Sequence, residues 1–277
     1  MKILKTFIQG KYNDVNRCED AIFINDSFVA VMDGVTSKSN FSYKNMTSGK
    51  LAVQLITQVL QTISYDATLD EIIREINNQF DWFYNNHDFE LDKQLYGLQA
   101  AMVIYSDYHK EIYMIGDCQA VVNGKAYTQP KVSDEILAAM RSLIVHVQQD
   151  KGIDTEKEDL GRSVILPWII ESARFANCSD SPFGYSVING ETIPMELIQC
   201  IPVSRGDIIT LASDGYPKIG KDFNETEKEL KELIDKDPQL INDYPSTKGI
   251  SSNQVSYDDR AYVLFEITSK GVENEEL

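Results

Sequence analysis

Four apolar runs in this chain stop at an aspartate or begin beside one, and that pattern restricts the fold more than any other feature. Phe28-Val29-Ala30-Val31-Met32 runs into Asp33-Gly34, and Ile208-Ile209-Thr210-Leu211-Ala212 into Ser213-Asp214-Gly215. Ile112 to Ile115 ends at Gly116-Asp117, and Asp258-Asp259 stands just before the run Ala261 to Ile267. Short apolar runs bounded by turn residues read as strands. A carboxylate at a strand end is held at the rim of a sheet, where the backbone aims it. A glycine beside it leaves its own carbonyl uncovered.

Each Asp-Gly alone is only a turn signal. Together they pose an electrostatic problem. Were the four aspartates to meet within ~4 Å, each ionised pair would repel by about 4 kcal/mol at an effective dielectric near 20. Several such pairs rival the whole stability of a domain. Either the strand ends point to separate places, or cations neutralise them. All-oxygen ligation favours Mg²⁺ or Mn²⁺. Two such ions can clamp a phosphoryl group and activate a bridging water, a hydrolytic site that needs no side-chain nucleophile.

The remaining sequence supplies alternating strands and paired helices. Ile3 to Gln9 reads as an opening strand, and Ala21 to Ile24 with Phe28 to Met32 as a hairpin turning at Asn25-Asp26. Thr47 or Ser48 caps a helix with apolar positions Leu51, Leu55, Ile56, Val59, Leu60 and Ile63. Thr68 and Glu71 make a capping box for a second helix, with the stripe Leu69, Ile72, Ile73, Ile76, Phe80 and Phe83. Leu98 to Tyr105 pairs with Ile112 to Ile115, and Asn123-Gly124 closes a further hairpin. Ser133 to Gln149 carries a helical stripe through Ile136, Leu137, Met140, Leu143, Ile144 and Val147. Residues 150–182 are the least readable; a lid or insert and a helical connector fit equally well. Tyr185 to Ile188 and Glu196 to Val203 read as strands, Glu225 to Asp235 as a charged helix, and 269–277 as an acidic tail. The expected class is α+β with antiparallel sheets, in a single domain over 1–268.

Lys and Arg number 26 against 43 Asp and Glu, a formal net charge of -17, which disfavours nucleic acid as a partner. A phosphorylated substrate remains compatible, because bound divalent cations would invert the local field. The first ten residues lack a sustained apolar core, and the run Val164 to Ile170 is too short to span a bilayer and contains Pro167. Cys18, Cys118, Cys178 and Cys200 are scattered, so buried reduced thiols in a cytoplasmic protein without membrane partners are expected. Three histidines are too few for a His-based metal cage.

In order along the chain, Arg17-Cys18-Glu19-Asp20, Val31-Met32-Asp33-Gly34, Ile115-Gly116-Asp117, Leu211-Ala212-Ser213-Asp214-Gly215 and Asp258-Asp259 resemble the acidic motifs of the metal-dependent protein phosphatases (protein phosphatase 2C, PPM type). The resemblance runs from about Asn16 to Ile267. It implies a four-layer α-β-β-α sandwich, two antiparallel sheets flanked by helix pairs, with a binuclear Mn²⁺ or Mg²⁺ centre at one rim. By that likeness Asp33 bridges both ions, the Gly34 carbonyl ligates one, and Asp214 and Asp258 hold the other. Glu19 and Asp20 orient metal-bound waters, and Asp117 helps to hold a third, weaker ion. The implied reaction is attack of a metal-bridging water on a phosphoserine or phosphothreonine ester of a protein substrate in signalling.

The chain departs from the family pattern at three places. Where many members carry a phosphate-gripping arginine stands Val15, leaving Arg17 as the candidate phosphate ligand, with a surface or salt-bridge role as the competing reading. Val35-Thr36-Ser37-Lys38-Ser39 follows Asp33-Gly34 without a histidine, and Lys38 reads as a loop lysine facing solvent. Gln119 replaces an arginine after Gly116-Asp117. Two alternatives therefore stand beside the protein phosphatase: a non-catalytic phosphatase-like binding module, and a phosphatase of a small phosphorylated metabolite. The sequence does not set the oligomeric state.

Overall fold

The computed structural model describes residues 1–36, 38–155, 159–251 and 253–268; the expected acidic tail, 269–277, lies outside them. The chain opens with β1 (Lys2–Gln9), then the hairpin of β2 (Asp20–Ile24) and β3 (Phe28–Gly34). Asn25 fixes that hairpin's turn: its Oδ1 accepts from the backbone N–H groups of Ser27 and Phe28 at 2.9 and 2.7 Å. Helices α1 (Ser48–Thr62) and α2 (Leu69–Asn86) start where their caps predict. The Lys50 N–H donates to Thr47 Oγ1, and the Thr68–Glu71 capping box is complete. Each such cap contributes about 1 kcal/mol.

After the short α3 (Lys93–Tyr96) come β4 (Ala100–Ser106) and β5 (Glu111–Ile115), then β6 (Gln119–Val122) and β7 (Lys125–Tyr127). Asn123 and Gly124 both take positive φ, as a two-residue turn between twisted strands requires. Helices α4 (Val132–Asp150) and α5 (Leu160–Glu171) precede β8 (Gln199–Pro202), β9 (Ile208–Ala212), α6 (Phe223–Lys236) and β10 (Arg260–Glu266).

The strands form two five-stranded sheets, β2-β3-β4-β5-β8 and β1-β10-β9-β6-β7, antiparallel throughout. Alternation along each central strand decides what each face meets. In β3, Val29 and Val31 point between the sheets towards Ile209, Leu211, Val263 and Phe265 of the second sheet's cluster. Phe28, Ala30 and Met32 point the other way, into the stripes of α1 and α2. On the far side Tyr216 and Tyr262 pack with Leu230 of α6 and with Leu240 and Tyr257. The layer order is thus helices, sheet, sheet, helix.

The outer face of the first sheet carries the α1–α2 pair, and that of the second carries α6 with side chains from the segment that follows it, to which Arg141 of α4 bonds. Some local expectations are corrected. The α4 stripe is turned outward: Ile136, Met140, Leu143 and Val147 are exposed, while Leu137, Ala138, Arg141 and Val145 face inward. Arg141, 2% exposed, explains the rotation. Its guanidinium pairs with Asp159 at 2.7 Å and donates to the Gln239 and Ser246 carbonyls at 2.9 and 3.0 Å, partners that exist only on that side.

Of the two readings of residues 150–182, the helical connector holds for α5, which carries Pro167 inside it. Tyr185 to Ile188 makes isolated bridges, not a strand, and residues 195–197 form a 3₁₀ turn before β8. Of the thiols, Cys18 and Cys118 are buried, Cys178 is half-buried and Cys200 exposed; all four are free. Among the described residues no helix is long and apolar enough to cross a membrane.

Phe80 is fully buried among α1, α2 and the first sheet. Phe80→Ala is expected to cost about 3–5 kcal/mol, read as a lower urea midpoint at unchanged slope.

Candidate metal centre

β3, β5 and β9 each deliver an aspartate to the same rim. Asp33 sits near the end of β3, in register with Asp20 on one side and Ala101 on the other. Gly34 follows, and its N–H donates to the Glu19 carbonyl at 3.1 Å. A Cβ on Gly34 would fall 2.4 Å from the Gly49 oxygen in the first turn of α1. Two glycines back to back therefore let the positive end of α1 press against the acidic strand end. Past β5, Gly116 turns the chain with φ +82, and its N–H donates to Ser186 Oγ at 2.9 Å, which aims Asp117 inward. Past β9, Ser213 is clasped by Ala261 through both backbone groups and its hydroxyl, and Asp214 follows.

Carboxylate oxygens of Asp33, Asp117 and Asp214 all lie within 4.8 Å of one another. Burial raises the Asp33 pKa well above the carboxylate range, and Asp214, Asp20 and Asp258 push it further. Asp214 is driven up to about 7, by burial first and then by Asp117 and Asp258. Asp20, 7% exposed behind Asp33, is raised by burial, against a hydrogen bond from Ser213, with the charges of Asp259, Asp258 and Asp214 adding to the rise. Asp20 Oδ2 and Asp214 Oδ1 are buried without a hydrogen-bond partner. Orphaned anionic oxygens beside like charges are what a hard divalent cation resolves, so the donor set fits such an ion.

Asp258 borders the same cavity but is already paired: Lys11 Nζ lies 3.1 Å from it, and Lys248 donates to its other oxygen. Burial alone would raise its pKa, yet Lys248 and Lys11 hold it well below the usual range. Asp259, its neighbour, has a structural task. Its two oxygens accept the backbone N–H groups of Lys11 and Glu19, both at 2.8 Å, tying the start of the chain to β10. Glu19 in turn accepts from the Thr47 hydroxyl at 2.6 Å, so the cap of α1 orients it. Arg17 stands apart: its guanidinium stacks on the Tyr12 ring at 3.7 Å and it does not border the cavity.

The cavity holds about 780 Å³, and its cations are Lys11, Lys38, Lys131, Arg162 and Lys248. Lys38 does not face open solvent: it lines this cavity, donates to the Thr36 carbonyl, and burial with Lys248 and Arg162 nearby lowers its pKa to about 8. Lys131 pairs with Asp117 at 2.7 Å. Burial opposes its charge, but Asp117, Asp134 and Tyr185 win and raise its pKa. Gln119 borders the cavity, and its amide donates to the Ser213 and Tyr216 carbonyls. No local pattern advertises these lysines; only Lys131, at a helix start where a short polar cap would be usual, is out of place in the sequence.

No protein-family model matches the chain, and no curated protein matches it. Solved structures similar over nearly the whole chain include two phosphatases. One is the catalytic domain of the serine/threonine protein phosphatase PstP in complex with two manganese ions, with a TM-score of 0.50 and 15% identity over 96% of this chain and 97% of that one. The other is the Mycobacterium tuberculosis serine/threonine phosphatase PstP/Ppp, with a TM-score of 0.50 and 14% identity over 97% and 100%. At this identity the likeness is one of architecture: the chain has the fold of the PPM-type serine/threonine phosphatases.

Clustered buried carboxylates should burden the metal-free protein. Asp33→Asn is expected to stabilise the chain in EDTA by on the order of 1–3 kcal/mol. Added Mn²⁺ should then raise the melting temperature of the wild type and leave that of the variant unmoved; calorimetric scans with and without metal check both.

Proposed function

We propose that this chain is a PPM-family protein phosphatase that hydrolyses phosphoserine or phosphothreonine in proteins and depends on Mn²⁺ or Mg²⁺. The observation that carries the reading is the gathering of Asp33, Asp117 and Asp214 from three strand ends onto one cavity. In this reading Asp33, the Gly34 carbonyl, Asp214 and Asp258 would hold two ions, Asp33 being shared between them, and Asp20 and Glu19 would orient bound waters. When bound, such ions supply a hydroxide at neutral pH and polarise the phosphoryl oxygens.

The chain's own residues do the rest. The β3 and β9 ladders fix the acids, and the Gly34–Gly49 contact sets the α1 terminus beside them. The gripping of the phosphate falls to Lys38, Arg162 and Lys248, cations on the cavity wall, and not to Arg17. Arg162 is steadied by its bond to the Thr247 carbonyl at 2.9 Å. The net charge of -17 supports a protein partner over free polyanions or nucleic acid, and the scattered free thiols support a cytoplasmic setting.

A second reading, a module that binds phosphorylated partners without cleaving them, is favoured by one observation: Asp117 and Asp258 already carry lysine partners. Phosphopeptide binding by calorimetry with no phosphate released in excess Mn²⁺ would decide for it. The favoured reading expects metal-dependent release from phosphopeptides, faster than from small metabolite phosphates. Asp33→Ala should then lose Mn²⁺ binding and more than about 100-fold in rate. Lys38→Met or Arg162→Met should raise KM roughly tenfold with a smaller change in kcat.

A further inference from the structure

Seven carboxylates crowd this rim: Glu19, Asp20, Asp33, Asp117, Asp214, Asp258 and Asp259. Three ammonium groups are paired directly with members of the set. Lys11 reaches Glu19 at 3.6 Å, Asp258 at 3.1 Å and Asp259 at 3.6 Å; Lys248 holds the far oxygen of Asp258; and Lys131 holds Asp117 Oδ2 at 2.7 Å. These pairings leave Asp20, Asp33 and Asp214 without a lysine partner, whereas the outer oxygen of Asp117 is already taken by an ammonium group.

The position of Lys131 sharpens the point. It is the residue from which α4 begins, yet its side chain makes no cap hydrogen bond and goes to Asp117. The Tyr185 ring lies 5.1 Å behind the ammonium, and Asp134 stands near it one turn into the helix. The N-terminal end of α4 adds its own partial positive charge to the same corner. The outer side of Asp117 is therefore occupied by a cation that the chain itself provides.

We propose that Lys131 takes the place of a third metal ion, so that the centre fills with two divalent cations and goes no further. This rests on the metal-dependent reading above, but concerns only the number of ions. It makes the Asp117 corner a permanent ion pair, independent of the free metal concentration.

The experiment is a count of bound Mn²⁺ per chain by equilibrium dialysis and by titration calorimetry. The full-length wild type should bind two ions, Lys131→Met three with the third weaker, and Lys131→Met/Asp117→Asn two again. Lys131→Gln, which keeps the side chain's reach and loses its charge, should also gain a third ion and guards against misfolding of the Met variant, with circular dichroism as the check. Three ions on the wild type, or two on both Lys131 variants, would overturn the assignment while leaving the metal reading intact. No ion on the wild type would overturn both.

Discussion

Like-charge repulsion among desolvated carboxylates is the constraint to which the rest of this molecule answers. Asp33, Asp117 and Asp214 bring carboxylate oxygens within 4.8 Å of one another, and Asp20 stands in register beside Asp33. Left to itself such a group would push apart or draw in water. It is held by parts that cannot yield: a β3 strand with partners on both sides, a glycine-on-glycine contact to α1, and a serine clasp between β9 and β10. Lysines relieve the corners where the ladders alone do not suffice.

Because the acids come from both sheets, the site is a product of how the sheets pack. Asp33 lies in a strand of one sheet and Asp117 follows another, while Asp214 and Asp258 flank strands of the second sheet. The apolar layer between them, with Val31, Val103, Leu211 and Val263 fully buried, fixes their distance. Asp259 adds a second tie by gripping the backbone at Lys11 and Glu19. A change deep between the sheets would thus be felt at the rim, since packed interiors transmit strain.

Local rules were legible in the sequence where local physics decides. The Thr68–Glu71 box, the Asn123-Gly124 turn and the period-2 alternation of β3 each depend on neighbours a few residues away, and each stands as read. The acidic strand ends were legible because turn chemistry and charge are both written at one place. Reading failed where distant partners decide. The face α4 buries is chosen by what Arg141 finds on the 239–246 segment, so the apolar stripe through Ile136 and Leu143 is left to solvent. Gly161 lets α5 approach α4 closely at Val145 and Arg141, a contact no local pattern announces. The cavity lysines come from separate loops and helices, and no spacing connects Lys11 to Asp258.

Strand β1 pairs along its length with β10, residue 9 opposite residue 260. During synthesis β1 therefore stays unpaired until residues 260–266 have been made. Nascent chains shorter than that can build the α1–α2 layer on its sheet, but they cannot close the acidic rim. The serine clasp that seats Asp214 and the carboxylate that ties Lys11 to Glu19 both wait on residues 259–261, so the rim is the last part of the fold to set.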